Sequence, residues 1–297
     1  MSSDRISLKQ RVLADLAAAD CAPLHRFGQN FMIDQHVLDA LISALGPLRG
    51  RRVIEIGPGT GVLTARLIDE GAQVLAIEID RGLTDHLTTT LVPRGLTLVH
   101  GDALAAKGRL HDDIVAWAAA GDWSLASNLP YDVAIPVVTE CAALPRQPQN
   151  MVATVQFECG RRLCSRPGDD AWGASAAVLQ AAGEPRIVRR VNCASFHPRP
   201  RVDSAIVAWT PRQPLPAGFA LWVRGLFAYR RKVLPRALMD LAESLPTAAS
   251  AAASTSQARD AVTTACAAAG IDAARRVENL DAPELLNLYA HVRALAN

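Results

Sequence analysis

The residues best suited to chemistry form one short segment that follows an apolar stretch at 123–126: Asn128, Leu129, Pro130 and Tyr131. An amine on an aromatic ring is a poor nucleophile because its lone pair is delocalised into the ring. The Asn128 side-chain oxygen and the Leu129 carbonyl could accept both amine hydrogens, which favours a pyramidal nitrogen. Pro130 restricts residue 129 to an extended backbone, and the Tyr131 ring could stack on an extruded base. The segment predicts methylation of an exocyclic amine.

A glycine-rich segment at 55–61 indicates a nucleoside cofactor. Its glycines, beginning with Gly57, follow a short strand and open a helix, where a residue without a side chain lets the backbone approach a ligand closely. The spacing is GxGxG, not the GxGxxG of dinucleotide sites. It favours S-adenosylmethionine, which has no pyrophosphate, over NAD. Glu78 ends the next strand and could accept both ribose hydroxyls, and Asp102 ends the third and could accept from the adenine amino group.

Each of these signals also has a plainer explanation. Glu78 could be a surface turn residue, and Asp102 could be a helix N-cap. Taken alone, segment 128–131 is better explained as a capped turn between a strand and a helix. The order of the motifs along the chain favours a cofactor site followed by a catalytic segment.

The elements around these motifs alternate between apolar strands and helices. We predict strands at 52–56, 74–79, 96–99, 123–126 and 151–157. Such alternation indicates βαβ units and a mostly parallel sheet. The motif residues all follow strands, so we expect them at the carboxyl edge, where open α/β sheets bind ligands.

The pattern changes in the last third of the chain. Two β-rich segments, 186–191 and 205–210, could pair as a hairpin at the sheet edge. Helices are then predicted at 221–229, 233–245, 258–269 and 283–295. We therefore predict a cofactor-binding catalytic domain at 1–212 and a helical domain at 213–297.

The net charge of the 297-residue chain is only +2, but it is unevenly distributed. Residues 1–150 carry 13 basic and 17 acidic side chains, whereas residues 151–297 carry 18 and 12. Within 186–236 there are 11 basic side chains and one acid, Asp203. This asymmetry suggests a polyanionic partner, although a solvated basic surface would have the same composition.

Cysteine spacing and hydropathy indicate a reduced, cytoplasmic protein. The 6 cysteines include no CxxC pair, which argues against a zinc site. Irregular spacing in a chain of this length is typical of free thiols in the cytosol. No signal peptide is evident, and no apolar run approaches the ~18 residues of a membrane span. We expect no metal and no membrane association.

Together these segments resemble the bacterial 16S ribosomal RNA adenine N6,N6-dimethyltransferases. The resemblance extends from about residue 10 to the C-terminus and is carried by residues 27–31, 55–61, 76–80, 101–102, 128–131, 196–204, 230–232 and 270–280. It implies six residues on the cofactor: Asn30, Met32, Gly57, Glu78, Asp102 and Asn128. It also implies that Tyr131 and Phe196 lie on opposite faces of the target adenine. From the residues alone, Phe196 is nearly as well explained as part of the core.

The resemblance implies a class I S-adenosylmethionine-dependent methyltransferase fold: Rossmann-like α/β, with a mostly parallel seven-stranded sheet and a small, all-helical, RNA-binding C-terminal domain. The implied reaction is dimethylation of two adjacent adenines near the 3′ end of 16S rRNA, within an immature small ribosomal subunit, by a monomer. Three alternatives remain. They are a large-subunit rRNA methylase of the macrolide-resistance type, a catalytically silent ribosome-assembly factor, and an NAD dehydrogenase, which would leave segment 128–131 unexplained.

Three residues depart from the family pattern on the expected RNA side. Phe157 stands where the family often has Lys, and Ala174 replaces a usual apolar residue before Ser175. Pro235 is expected to interrupt the helix that follows residues 230–232. These departures bear on RNA contacts and leave the cofactor site unaffected.

Overall fold

The computed structural model describes residues 6–23, 28–106, 108–244 and 255–295. Its helices are α1 (Leu8–Ala18), α2 (Gln35–Leu45), α3 (Val62–Asp69), α4 (Arg81–Thr90), α5 (Asp112–Ala119), α6 (Ala134–Ala143), α7 (Phe157–Leu163), α8 (Ala174–Ala182), α9 (Phe219–Phe227), α10 (Leu234–Ser244), α11 (Thr255–Ala268) and α12 (Ala282–Leu295). Its strands are β1 (Phe31–Met32), β2 (Arg52–Ile56), β3 (Gln73–Glu78), β4 (Thr97–His100), β5 (Leu104–Ala106), β6 (Arg109–Leu110), β7 (Trp123–Asn128), β8 (Met151–Gln156), β9 (Gly183–Val191), β10 (Phe196–His197) and β11 (Ser204–Pro211).

The central sheet has seven strands in the order β4-β3-β2-β7-β8-β11-β9. Neighbours from β4 to β8 run parallel, and β11 runs antiparallel to β8. This mixed α/β sheet confirms the predicted fold. The chain passes from β2 to β3, which is the neighbour of β2 on one side, whereas β7 is the neighbour of β2 on the other side. A crevice therefore opens beyond the carboxyl ends of β2 and β7, which is where such sheets bind ligands.

The central strands are buried because their residues are apolar on both faces. Every residue of β7 before its last is buried, as are residues 53–56 of β2 and 74–78 of β3. Sheets covered by helices on both sides need such continuous apolar strands. The polar residues that end β3 and β7, Glu78 and Asn128, therefore stand out at the carboxyl edge of a largely apolar sheet.

The predicted edge hairpin is confirmed in part. Strands β9 and β11 are neighbours at the edge of the sheet. The chain between them is not a simple turn, because it contains β10, which pairs antiparallel with β1. In this two-residue ladder Phe31 lies opposite His197 and Met32 lies opposite Phe196.

The chain divides into two compact units. The first comprises residues 1–161 and 184–212, and the second comprises 162–183 and 213–297. Residues 162–183, which the sequence assigned to the domain at 1–212, belong to the second unit. Trp172 and helix α8 bury their apolar side chains with those of α9, α10 and α12, and the Trp172 ring lies edge-on to Phe227. That packing attaches them to the helical unit.

Residues 230–232 lie in the turn between α9 and α10, and one local prediction beside this turn is corrected. Pro235 does not interrupt a helix: it is the second residue of α10. Proline is tolerated in the first helical turn because the N–H that it lacks has no intrahelical partner there. In the part of the chain that the structure describes, no helix is both long and apolar enough to cross a membrane.

Candidate cofactor and catalytic site

A cavity of about 320 Å³ lies at the carboxyl ends of β2, β3 and β7. All six residues implied to hold the cofactor line it: Asn30, Met32, Gly57, Glu78, Asp102 and Asn128. Leu129, Pro130 and Tyr131 line it as well. The fold thus brings the glycine segment, the two acids and the segment 128–131 to one place, although they are far apart in the sequence.

The glycine segment forms one wall of this cavity. Gly57 and Gly59 have φ values of +64° and +60°, a left-handed region that favours glycine. A Cβ atom on Gly57 would lie 3.2 Å from the Pro130 ring, and one on Gly59 would lie 3.0 Å from the Phe31 ring. Glycine is therefore required both by the backbone and by the close approach of these two rings.

Glu78 presents a carboxylate at the end of β3 and is only 3% exposed. Its two oxygens accept hydrogen bonds from the backbone N–H of Gly59, at 3.1 Å, and of Asp80, at 2.9 Å. Burial raises the pKa of Glu78, and these backbone hydrogen bonds oppose that rise. A carboxylate has about four lone-pair positions, so acceptor sites remain for two ligand hydroxyls.

Asp102 follows β4 and is exposed at the cavity. Its carboxylate accepts a hydrogen bond from the Leu104 N–H at 2.9 Å. The next element is β5, so Asp102 caps a turn before a strand and is not a helix N-cap. One of its oxygens is thereby fixed, and the other remains available as an acceptor.

The Asn128 amide is oriented by a hydrogen bond. Its Nδ2 donates to the backbone carbonyl of Asn30 at 2.8 Å, which leaves Oδ1 as the acceptor of the group. The Asn30 side chain in turn donates from its own Nδ2 to the Gly28 carbonyl at 2.9 Å. This second hydrogen bond fixes the segment 28–30, whose Asn30 carbonyl accepts the hydrogen bond from Asn128. The amide thus presents an acceptor oxygen without paying the cost of orienting it during a reaction.

The neighbouring residues of segment 128–131 are also fixed. The Leu129 N–H donates to the Thr154 carbonyl at 3.1 Å, which joins this turn to β8. Tyr131 is partly buried, and its hydroxyl lies 3.0 Å from the Ser204 Oγ. Burial raises the Tyr131 pKa, so the hydroxyl stays protonated at neutral pH.

Phe196 is placed differently from the other site residues. It does not line the cavity, is 2% exposed, and belongs to the same buried apolar cluster as Met32. It pairs with Met32 between β10 and β1, and the Ile33 N–H donates to the Ser195 carbonyl at 2.9 Å. In this structure Phe196 therefore supports the segment that carries Asn30 and Met32.

Two further residues at the cavity had no role assigned from the sequence. Glu55 lines the cavity but is 1% exposed, with the Thr64 hydroxyl donating to it at 2.7 Å. Burial raises its pKa to about 8, so it is largely protonated at neutral pH. The Gln29 side chain donates to the Asp80 carboxylate at 3.1 Å. The sequence could have indicated Glu55, because it is an acid inside an otherwise apolar strand. It could not have indicated the Gln29 contact, because Gln29 and Asp80 are far apart in the sequence.

The departure at Phe157 has a structural counterpart. The Arg190 guanidinium lies 4.6 Å from the centre of the Phe157 ring and pairs with Asp203. A cation from β9 therefore lies beside position 157, where the family often has Lys. Phe27, the first residue of the segment 27–31 that carries the family resemblance, lies outside the described residues.

Within the described ranges, no group of three or more His, Cys, Asp or Glu side chains is arranged to hold a metal ion.

Comparison with known proteins gives concordant matches. Residues 24–270 match the family model described as ribosomal RNA adenine dimethylase. A "Ribosomal RNA small subunit methyltransferase A" of Moorella thermoacetica is 33% identical over 96% of this chain and 98% of its own. A dimethyladenosine transferase structure from Plasmodium falciparum superposes with a TM-score of 0.69 at 20% identity, covering 89% of this chain and 98% of that one. The structure of the 23S rRNA methyltransferase ErmE superposes with a TM-score of 0.59 at 22% identity, covering 89% of this chain and 100% of that one.

Proposed function

Because this chain belongs to the ribosomal RNA adenine dimethylase family, we propose that it transfers methyl groups from S-adenosylmethionine to N6 of two adjacent adenines near the 3′ end of 16S rRNA. We propose an immature small ribosomal subunit as its substrate, and a monomer in the cytoplasm as the active form. The observation that carries the proposal is the oriented Asn128 amide in the lining of a cavity that suits a nucleoside.

The cavity suits S-adenosylmethionine on the evidence of its own groups. At Gly57 and Gly59 the bare backbone lines the cavity, where a Cβ atom would lie only 3.2 and 3.0 Å from the neighbouring rings. Glu78 keeps free lone pairs for ribose hydroxyls, and Asp102 has a free oxygen for an adenine amino group. When bound, the cofactor supplies an electrophilic methyl group.

The protein's own contribution is to bind and orient the amine. The Asn128 Oδ1 accepts one hydrogen of the adenine amino group, and the Leu129 carbonyl accepts the other. Both bonds favour a pyramidal nitrogen and strengthen as positive charge develops on it, so they stabilise the transition state more than the ground state. Tyr131 offers a ring on which the extruded base can stack.

The choice of ribosomal subunit rests on sequence and not on fold. Structures of both a dimethyladenosine transferase and a 23S rRNA methyltransferase superpose on this chain, so the fold is common to the two activities. The Moorella thermoacetica relative, which matches this chain nearly end to end, is named for the small subunit. This favours 16S rRNA over the large-subunit alternative.

A labelling experiment tests the proposal. The protein is incubated with methyl-labelled S-adenosylmethionine and with small or large subunits from cells that lack the enzyme, and the product nucleosides are mapped. We expect N6,N6-dimethyladenosine at two adjacent positions near the 3′ end of 16S rRNA. Label in 23S rRNA alone would support the macrolide-resistance type of activity, and no label in either would support a silent assembly factor.

Glu78 should contribute directly to cofactor affinity. Replacing Glu78 with Ala is expected to weaken S-adenosylmethionine binding by ~1–3 kcal/mol, since it removes hydrogen bonds to a charged group. Isothermal titration calorimetry measures the effect. The control is Glu70→Ala, which removes an exposed acid paired with Arg66 outside the cavity. Equal affinities for the Glu78 variant and the wild type would exclude the ribose role.

The second unit carries cations that are free to bind RNA phosphates. The turn between α9 and α10 is held by hydrogen bonds from the Glu278 N–H to the Arg230 carbonyl and from the Leu234 N–H to the Arg275 carbonyl. Lys232 and Arg236 pair with the buried Asp240. Arg230 and Arg231 are exposed, and within the described residues no side-chain hydrogen bond or ion pair engages them.

Replacing both Arg230 and Arg231 with Glu should weaken RNA binding. Each lost phosphate contact reduces the slope of log affinity against log salt by about 0.7–0.9, so we expect the slope to flatten by up to two contacts. Filter binding across a salt series measures it, with S-adenosylmethionine affinity unchanged. The matched control replaces Arg94 and Arg109, which pair with Asp69 and Asp112, with Glu. A wild-type slope in the folded Arg230/Arg231 variant would remove this turn from the RNA-binding surface.

A further inference from the structure

The Tyr131 hydroxyl forms a hydrogen bond with a buried serine, Ser204, to which no role was assigned from the sequence. Ser204 begins β11 and is 0% exposed, and its Oγ lies 3.0 Å from the Tyr131 hydroxyl oxygen. Tyr131 lines the cavity and is only partly buried. The ring therefore reaches from the cavity to the sheet, with one end fixed by its own backbone and the other by this contact.

We propose that Ser204 is a positioning residue that fixes the Tyr131 ring for stacking on the adenine to be methylated. The inference rests on the proposed function, because it assigns Tyr131 the base-stacking role. Ser204 itself does not touch the substrate. It acts by restricting the rotation of a ring that does.

Ser204 can hold the ring because its own position is fixed on both sides. It pairs with Gln156 in the antiparallel ladder between β11 and β8. The preceding residue, Asp203, accepts a hydrogen bond from the Phe157 N–H through its carbonyl, at 2.9 Å. Its carboxylate accepts from the Cys193 N–H at 3.1 Å and from the Arg190 Nε at 3.0 Å.

Fixing the ring matters because stacking catalyses only if it holds the amine in line with the donor. A tyrosine side chain turns about two torsions, and a hydrogen bond at its far end removes most of that freedom. Small misplacements of a substrate can cost large factors in rate. A merely structural pair, formed because buried hydroxyls need partners, would instead affect folding stability alone.

A double-mutant cycle separates the two roles. Ser204→Ala and Tyr131→Phe each remove the hydroxyl contact and retain a ring at position 131. We expect each to lower the single-turnover methylation rate about 5- to 10-fold, the fold-change of one lost hydrogen bond, with unchanged S-adenosylmethionine affinity. The double variant should be no slower than either single variant, because both changes remove the same interaction.

The matched control is Ser124→Ala. Ser124 is also a fully buried serine of the same sheet, but its hydroxyl has no hydrogen-bond partner among the described residues, and it lies at the opposite end of β7 from Asn128. We expect its methylation rate to equal that of the wild type. A second readout uses RNA with 2-aminopurine at the target position, whose fluorescence is quenched by stacking. Quenching should be weaker in Ser204→Ala than in the wild type.

Two outcomes would overturn the inference. One is a folded Ser204→Ala variant with wild-type rate and quenching, and the other is a double variant whose loss equals the product of the single losses. The wild-type reaction in the same assay reports on the proposed function separately. If the wild type labels only large subunits, the proposed substrate is wrong and the cycle is run on that RNA. If it labels neither subunit, both proposals fail.

Discussion

Replacing Asn128 with Ala is expected to lower methyl transfer by about 10²–10³-fold, the usual effect of removing one preorganised hydrogen-bonding group from a transition state. The variant loses the acceptor oxygen that the Asn30 carbonyl orients. Glu78 and Asp102 remain, so S-adenosylmethionine binding should stay measurable. Single-turnover methylation and calorimetry on the same preparation give the two quantities.

Asn128→Asp is the informative companion variant. Aspartate keeps an oxygen at this position but cannot donate to the Asn30 carbonyl when ionised, so the group loses its orientation. We therefore expect Asn128→Asp to be impaired although it retains an acceptor. Turnover close to that of the wild type in Asn128→Ala would refute the catalytic assignment of this residue.

Replacing Phe196 with Ala is expected to lower the free energy of unfolding by about 3–5 kcal/mol, the usual cost of truncating a buried phenylalanine. Its ring is 2% exposed and packs in the cluster that contains Met32. Because β10 pairs with β1, we also expect weaker S-adenosylmethionine binding. Chemical denaturation and calorimetry measure the two effects.

Phe196→Leu distinguishes the core role from the stacking role implied by the family resemblance. Leucine fills most of the volume but offers no aromatic face. If the ring acts through the core, Phe196→Leu should recover most of the stability and the methyl transfer. A stable Phe196→Leu variant that binds RNA and cofactor normally but no longer methylates would favour stacking on the base.

The sheet was predictable from the sequence because its strands are buried on both faces. Their apolar runs end at glycines or polar residues, as at Gly57 and Asn128, and burial leaves little choice of structure for such runs. Helix α2 was predictable for a local reason: Asp34 caps it by accepting from the His36 N–H at 2.9 Å. Signals of this kind are complete within a few residues.

Features that depend on distant partners were not predictable in the same way. Helix α8 is rich in alanine and has no strong apolar stripe, and its place in the helical unit comes from packing with α9 and α12. The two-residue strands β1 and β10 exist only through each other. The error at Pro235 was local instead: the helix was predicted from residue 233, so the proline lies in its first turn, where it is tolerated.

The same limit applied within the candidate site. Sequence motifs identified the residues that line the cavity, but not the direction of the Asn128 amide, which depends on a carbonyl 98 residues away. Nor did they identify the contact between Tyr131 and Ser204, which are 73 residues apart. The sequence indicated which residue types line the cavity, whereas the orientation of their side chains depends on the fold.

The bond between Asn128 and Asn30 has a consequence for timing. Adding two methyl groups to one nitrogen consumes two cofactor molecules, so spent cofactor must leave between the two transfers. Asn30 belongs to the wall of the cavity that we propose to hold the cofactor. Any exchange that displaces this wall also breaks the 2.8 Å bond that aims the amide. An exchange of that kind would reset the Asn128 amide between the two transfers, and the second methylation would begin only after this hydrogen bond had formed again.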